Sequence, residues 1–162
     1  MSLAAQILDL AKQSETMIAT AESCTGGMVM AALTDIAGSS AVAERGFVTY
    51  TNNAKMQMLG VSGATLDAHG AVSEEIAAEM AKGALRNSEA TLSVSITGIA
   101  GPGGSDHKPE GRVCFGIADN KSCATETVEF GALGRSNVRE AARDHALQML
   151  LDRLIQNSSI NR

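Results

Sequence analysis

Aromatic side chains are scarce in this sequence, whose 162 residues include three Phe, one Tyr and no Trp. Proteins that bind single-stranded nucleic acid usually stack the bases on exposed aromatic rings. The net charge of −5 also provides no bulk attraction to nucleic acid or to an anionic membrane. We therefore expect no nucleic-acid partner and no membrane partner.

Cysteines and long apolar runs are also few. The three cysteines, Cys24, Cys114 and Cys123, are odd in number and have no CxxC spacing, which argues against a disulfide framework and against a cysteine metal site. No stretch is long and apolar enough to cross a bilayer, and the first residues lack the basic and apolar regions of a signal peptide. We expect a cytoplasmic protein that contains no metal.

The hydrophobic content of 44% and the charged content of 19% are typical of a folded globular chain. The length favours a single domain over residues 1–162, with its core at about 5–155. Periodicity and capping signals predict the following elements. Helices are expected at 3–12, about 26–36, 54–60, 65–68, 73–86 and 136–155, strands at 17–21, 47–50, 90–97, 112–118 and 123–130, and a frayed tail at 157–162. This order predicts a three-layer α/β/α fold with one mixed sheet.

The stretch at residues 20–27, TAESCTGG, joins the first strand to the next helix and holds several reactive groups. Ser23 is a candidate nucleophile, but the same serine could serve only as a turn or helix-cap residue. Cys24 is the rival nucleophile, or else a small buried side chain. Glu22 could orient a substrate hydroxyl or form a salt bridge.

A serine nucleophile needs a base, and the three histidines, His69, His107 and His145, stand in no recognisable serine–histidine pattern. Lys55 is an alternative base, because a lysine screened from water can be neutral near pH 7. Tyr50 ends a predicted strand and could pass a proton to the same pocket. The plainer interpretations are a solvated helix lysine and a half-buried strand tyrosine.

A glycine-rich loop at residues 98–110 follows the third predicted strand and suits a small ligand held by backbone N–H groups. It matches neither a Walker A sequence nor G-x-G-x-x-G, so a simple connection is an equal alternative. Arg135 and Arg139 flank the start of the last helix, where arginines can bind phosphate or simply face solvent. We interpret residues 106–108, DHK, as a solvated loop.

Together these segments resemble the C-terminal domain of the competence/damage-inducible protein CinA. The resemblance runs from about Ala5 to Leu154. It rests on residues 20–27, on GFVTY at 46–50 with NAK at 53–55, on HGAVSE at 69–74, and on GIAGPGG at 98–104 with KPEG at 108–111. Stand-alone members of that family are nicotinamide-nucleotide amidases.

The resemblance implies hydrolysis of the carboxamide of nicotinamide mononucleotide to nicotinate mononucleotide and ammonia, as part of NAD salvage. It implies a Ser/Lys mechanism without metal or cofactor, in which Ser23 is the nucleophile, Lys55 the general base and Tyr50 a proton relay or orienting group. Other expected substrate or oxyanion contacts are Glu22, Cys24, Thr25, Gly26, Gly27, Thr97, Gly98, Ile99, Ala100, Gly101, Arg135 and Arg139.

One departure concerns Gly134, which stands where the family often has Asp in a Gly-Asp-Arg sequence. The departure affects the expected phosphate site and not the chemistry at Ser23. Two other functions stay open: a non-catalytic module that binds pyridine nucleotides, and a related amidase with a different amide substrate. Apolar Met and Ala surfaces favour a homo-oligomer.

Overall fold

The computed structural model describes residues 1–160 and contains one five-stranded sheet between two layers of helices. The strands are β1 (Ile18–Glu22), β2 (Ala43–Val48), β3 (Leu92–Gly98), β4 (Arg112–Asp119) and β5 (Cys123–Glu129). The α-helices are α1 (Leu3–Gln13), α2 (Met28–Thr34), α3 (Asn52–Leu59), α4 (Gly63–His69), α5 (Glu74–Arg86) and α6 (Arg135–Ile160). A short 3-10 helix, Ser39–Ala41, precedes β2.

The sheet is mixed, with the strand order β2-β1-β3-β4-β5. β1 is parallel to both β2 and β3, whereas β3, β4 and β5 are antiparallel neighbours. At the carboxyl end of β1, Glu22 is in register with Val48 on one side and with Ile96 on the other. The segments that follow β1, β2 and β3 therefore leave the same edge of the sheet.

Each face of the sheet carries its own apolar core, because successive residues of a buried strand point to opposite faces. Ile18 packs into the larger core with α1, α2 and α6. Ala19 and Ala21 pack into the smaller core with α3, α4 and α5. The two helical layers confirm the predicted three-layer α/β/α architecture with one mixed sheet.

Helix α3 is held close to α5 by a glycine. A Cβ atom at Gly83 would lie only 2.1 Å from the carbonyl oxygen of Leu59, so no larger residue fits between the two helices. Thr51 caps the start of α3 by accepting a hydrogen bond from the Ala54 N–H. This close packing sets the position of Lys55, which lies on α3 and is buried.

The boundaries of β2 differ from the sequence prediction. The strand begins at Ala43 and ends at Val48, so Tyr50 lies beyond it. The polar residues 44–46 were expected to precede the strand. As an edge strand, β2 pairs only with β1 and leaves several side chains exposed.

The last helix is longer than predicted. It runs through Ile160, so residues 157–160 are helical and not a frayed tail. The remaining two residues of the predicted tail, 161 and 162, lie outside the described residues. No helix in the described part of the chain is both long and apolar enough to cross a membrane.

Candidate active site

A cavity of about 340 Å³ opens at the carboxyl end of the parallel strands. It brings together the turn after β1, the segment from Tyr50 to Lys55 and the glycine-rich loop after β3. This volume lies within the range of about 300–1,000 Å³ that is usual for small-molecule sites. Most of the predicted site residues line it: Ser23, Cys24, Tyr50, Lys55, Thr97, Gly98, Ile99, Ala100, Gly101 and Arg135. The others do not: Glu22, Thr25, Gly26, Gly27 and Arg139 are absent from its wall.

The central contact of the cavity joins Ser23 to Lys55. The Nζ atom of Lys55 lies 3.1 Å from the Oγ atom of Ser23 and 3.2 Å from the backbone oxygen of Tyr50. The Ser23 hydroxyl also lies 3.4 Å from the same oxygen. The tertiary structure thus places a lysine amine within hydrogen-bonding distance of a serine hydroxyl 32 residues away in sequence.

Lys55 is unusual because only 1% of its surface is exposed. None of the six ion pairs found within residues 1–160 involves it. Burial disfavours the charged ammonium and therefore lowers the pKa of Lys55 from its ordinary value of 10.5, although the charge of a Cys24 thiolate would act in the opposite direction. A lysine with a lowered pKa can accept a proton from a neighbouring hydroxyl.

Cys24 is the residue next to Ser23 and is also buried. Burial raises the pKa of its thiol to about 11 and outweighs the opposing effects of its own backbone N–H and of the Arg139 charge. The thiol is therefore protonated at neutral pH. Because the thiolate is the reactive form of cysteine, this environment disfavours Cys24 as the nucleophile.

Glu22 has a role that the sequence did not indicate. Its carboxylate is 1% exposed and accepts five hydrogen bonds. The donors are the hydroxyls of Thr20 and Thr25 and the backbone N–H groups of Gly27, Val29 and Met30. The expectation that it orients a substrate hydroxyl or forms a salt bridge is therefore corrected: the carboxylate caps α2 and ties the Ser23 turn to it.

Replacing the Glu22 carboxylate by an amide should destabilise the fold. In Glu22→Gln one acceptor oxygen becomes an N–H donor, which faces backbone N–H groups that it cannot pair with. We expect the free energy of unfolding to fall by about 2–3 kcal/mol, measured by urea denaturation. Glu89→Gln, an exposed carboxylate exchange, should change it by no more than about 0.5 kcal/mol. Equal effects of the two substitutions would contradict the capping role.

Tyr50 contributes its backbone and its side chain to different places. The backbone oxygen faces Ser23 and Lys55, as described above. The side chain is 58% exposed, and its hydroxyl accepts a hydrogen bond of 2.9 Å from Nη2 of Arg135. The hydroxyl therefore does not lie between the serine and the lysine, as a proton relay would require. This geometry does not support the relay role, and the alternative that Tyr50 orients the site stays a prediction.

The predicted oxyanion donors at Gly26 and Gly27 are already in use. The Gly26 N–H donates to the Ser23 carbonyl at 3.1 Å, and the Gly27 N–H donates to the Glu22 carboxylate at 3.2 Å. Within residues 1–160, the N–H groups of Cys24 and Thr25 donate to no other residue's acceptor. The free backbone donors of the turn are thus the two that directly follow Ser23.

The glycine-rich loop after β3 forms the opposite wall of the cavity. Thr97 lines the cavity and donates its hydroxyl to the Ala71 carbonyl at 2.8 Å, which joins the end of β3 to the segment that precedes α5. Arg135 donates to the Gly101 carbonyl at 2.7 Å, which joins the loop to the start of α6. Arg135 also lines the cavity, and its guanidinium has more N–H donors than its bonds to Gly101 and Tyr50 use.

Sequence reasoning missed several lining residues. Asn52 lies at the start of α3, and Ala71 and Val72 precede α5. Lys108 lay in a segment interpreted as a solvated loop, yet its Nζ donates to the carbonyls of His69 and Val72. The available signal in the sequence was that Lys108 begins the KPEG segment, which is part of the family pattern. The other lining residues belong to the glycine-rich loop. Pro102, Gly103, Gly104 and Ser105 lie in the part that was expected to hold a small ligand, whereas Asp106 was interpreted as solvated.

The histidines do not supply a base to Ser23, although His107 lies between Asp106 and Lys108, which line the cavity. His69 is paired with Glu75, and His145 contacts Glu126 and stacks on Phe115. No histidine among residues 1–160 lines the cavity wall. Lys55 is therefore the basic side chain that the structure places beside the Ser23 hydroxyl.

The fold and the cavity define a class of α/β proteins in which a mixed sheet holds a serine and a buried lysine in contact at its carboxyl edge. The chain belongs to the CinA C-terminal domain family, whose model matches residues 1–154. This confirms the resemblance found in the sequence.

The chain is similar in sequence to named bacterial proteins. The chain is 49% identical over 159 residues to nicotinamide-nucleotide amidohydrolase PncC of Escherichia coli, covering 98% of this chain and 96% of that one. A CinA-like protein of Chlorobium limicola is 49% identical over 128 residues, which are 78% of this chain but 30% of that longer protein.

Two solved structures share the fold closely. The competence/damage inducible protein CihA from Agrobacterium tumefaciens matches with a TM-score of 0.90 and 48% identity, over 93% of this chain and 92% of that one. A CinA superfamily protein from Klebsiella pneumoniae matches with a TM-score of 0.91 and 34% identity, over 95% of this chain and 96% of that one.

Proposed function

We propose that this chain hydrolyses the carboxamide of nicotinamide mononucleotide, with Ser23 as nucleophile and Lys55 as general base. The class, an amidohydrolase, rests on relatives such as the Escherichia coli protein, which carries the name nicotinamide-nucleotide amidohydrolase and aligns over nearly its whole length. The observation that carries the mechanism is the 3.1 Å contact between a serine hydroxyl and a buried lysine that pairs with no carboxylate among residues 1–160.

In the first step neutral Lys55 accepts the Ser23 proton while Oγ attacks the carboxamide carbon. The electron pair of the C=O bond moves to oxygen and forms a tetrahedral oxyanion. The Lys55 ammonium then gives its proton to the amide nitrogen as the C–N bond breaks, and ammonia leaves. An ester between Ser23 and the nicotinoyl group remains.

The second step reverses these roles with water. Lys55 takes a proton from water, hydroxide attacks the ester carbon, and the collapse of the second tetrahedral intermediate returns the Ser23 hydroxyl. The product is nicotinate mononucleotide. The Tyr50 carbonyl accepts a hydrogen bond from Nζ, which keeps the nitrogen lone pair directed at Ser23.

The oxyanion requires donors close to Ser23. The Cys24 N–H fulfils this requirement better than the Thr25, Gly26 and Gly27 groups that the sequence favoured. Cys24 lines the cavity, whereas the Gly26 and Gly27 N–H groups are already bonded and Thr25 is fully buried. Loss of one such donor costs about 2.7–4 kcal/mol in the activation barrier of comparable sites.

The ribose phosphate is assigned to Arg135 and the loop at 98–104. Arg135 stands at the rim of the cavity and is exposed, so it can bind a dianion without first losing a buried partner. A role in NAD salvage belongs to the same proposal and rests on the substrate named above. A cytoplasmic location and a homo-oligomeric state are also part of it and rest on the sequence alone.

The test is an ammonia-release assay with purified protein and a panel of nicotinamide mononucleotide, nicotinamide riboside and nicotinamide. We expect turnover of the mononucleotide, and a KM at least about 10-fold higher for the riboside, because charge-assisted bonds to phosphate are lost. Calorimetric binding of the mononucleotide without ammonia release would instead support the non-catalytic binding module. Turnover of another amide alone would support a related amidase.

A further inference from the structure

Arg139 lies behind the turn that carries Ser23 and not at the cavity wall. Its Nε donates to the Cys24 carbonyl at 2.9 Å, and its Nη2 lies 3.4 Å from the Thr25 carbonyl. The sequence favoured this residue as a phosphate ligand, yet Arg135, one turn earlier on α6, is the arginine that lines the cavity.

These contacts determine where the backbone donors of the turn point. The C=O and N–H groups of one trans peptide unit point in opposite directions. A bond from Arg139 to the Cys24 carbonyl therefore fixes the direction of the Thr25 N–H. The Thr25 N–H is one of the two free donors that directly follow Ser23.

The second contact, from Arg139 to the Thr25 carbonyl, acts on the Cys24 N–H indirectly, through the peptide units between them. Holding the Thr25 carbonyl fixes the Gly26 N–H, which donates to the Ser23 carbonyl at 3.1 Å. With the Ser23 carbonyl held, the N–H of the same peptide unit, that of Cys24, points to the opposite side. The Thr25 carbonyl also accepts the Met28 N–H at 3.0 Å, so Arg139 holds the turn directly at the Cys24 carbonyl and shares the Thr25 carbonyl with α2.

The charge of Arg139 is not neutralised locally, since none of the ion pairs within residues 1–160 includes it. A cation on a carbonyl oxygen polarises the peptide unit and makes its N–H a stronger donor. Oriented and polarised donors stabilise an oxyanion without reorganising during the reaction.

We propose that Arg139 is a positioning residue that holds the turn after Ser23, through its bond to the Cys24 carbonyl, so that the Cys24 N–H at the cavity wall serves as the oxyanion donor of Ser23. This inference rests on the proposed function, because it assigns Arg139 a part in the same reaction. It differs from a phosphate role, in which Arg139 would touch the substrate itself.

The first experiment compares Arg139→Met and Arg139→Lys with Arg143→Met, which lies one turn further along α6. We expect kcat for nicotinamide mononucleotide to fall about 10- to 100-fold in Arg139→Met with KM changed less than about 3-fold. Arg139→Lys should recover part of kcat, and Arg143→Met should resemble the wild type. Circular dichroism and urea denaturation establish that each variant is folded.

Two results of this experiment would overturn the inference. A rise in KM with unchanged kcat, absent when nicotinamide riboside is the substrate, would show a phosphate ligand. A fall in kcat that matches the unfolded fraction and is not relieved by lysine would show a purely structural role.

The second experiment measures the affinity of phenylboronic acid, which requires no turnover. Boron accepts an electron pair from the Ser23 oxygen, the hydroxyl proton passes to Lys55, no group leaves, and a boron-bound oxygen occupies the oxyanion position. We expect binding at least about 10-fold weaker in Arg139→Met than in Arg143→Met.

The two proposals can fail separately. If the wild type releases no ammonia from nicotinamide mononucleotide but boronate affinity still depends on Arg139, the proposed function is wrong and the positioning role holds. If the wild type is active while kcat and boronate affinity are both unchanged in Arg139→Met, the positioning role is wrong and the proposed function holds.

Discussion

Ser23→Ala is expected to lower kcat for nicotinamide mononucleotide by at least about 1,000-fold, because it removes the hydroxyl that lies beside the Lys55 amine. That loss corresponds to about 4 kcal/mol in the activation barrier. The substitution removes one oxygen atom from a residue that is 7% exposed, so the fold should be retained. Ammonia release under saturating substrate measures the effect.

Cys24→Ala is the matched control, because it removes one reactive atom from the adjacent residue of the same turn. With the thiol protonated at neutral pH, we expect kcat to stay within about 3-fold of the wild type. Full activity in Ser23→Ala together with loss of activity in Cys24→Ala would make the thiol the nucleophile and would reject the serine mechanism.

Lys55→Met is expected to abolish activity while making the protein more stable. Methionine resembles the lysine stem in shape but cannot accept the Ser23 proton, so kcat should fall at least about 1,000-fold. A buried amine without a carboxylate partner opposes folding at neutral pH. Its removal should raise the free energy of unfolding by about 1 kcal/mol or more, measured by urea denaturation.

The exposed Lys82 on α5 provides the control, because Lys82→Met removes the same charge from the surface. We expect its activity to be unchanged and its stability to differ by no more than about 0.5 kcal/mol. Substantial activity in Lys55→Met would exclude Lys55 as the base. A clear loss of stability would contradict the destabilising effect of the buried amine.

The lowered pKa of Lys55 also sets the pH dependence. Only the neutral amine accepts the proton, so kcat/KM should rise with pH through the lowered pKa and level off above it. The rise should occur below 10.5, the ordinary lysine value. Between the lowered folded pKa and 10.5, the unfolded state binds more protons than the folded state, so wild-type stability rises with pH. Lys55→Met should lack this rise.

Much of the architecture could be predicted from local sequence. The alternation of helical and strand periodicities predicted the three layers. The candidate site residues follow β1, β2 and β3, and ligands of such sheets bind at the carboxyl ends of the strands. Strand boundaries were less predictable, as in β2, because an edge strand is defined by its hydrogen bonds to β1 and needs no apolar pattern of its own.

The roles of individual site residues depended more on tertiary contacts. From the sequence, Glu22 was expected to orient a substrate hydroxyl or to form a salt bridge. In the structure its carboxylate accepts five hydrogen bonds from the protein itself. Tyr50 looked like a proton relay, but its hydroxyl pairs with Arg135 and its carbonyl faces the serine. Side-chain direction and the occupancy of donors and acceptors are not encoded in spacing along the chain.

The sequence by itself determined the fold class, the family and the identity of Ser23 and Lys55 as candidates, because these depend on periodicity and on motif residues. Only the tertiary structure decided that the two groups meet and that the lysine is buried. The approach of α3 to α5 at Gly83 and the capping of α2 by Glu22 hold Lys55 and Ser23 in contact. The pKa of a lysine depends on its surroundings, and those surroundings are assembled from segments far apart in the chain.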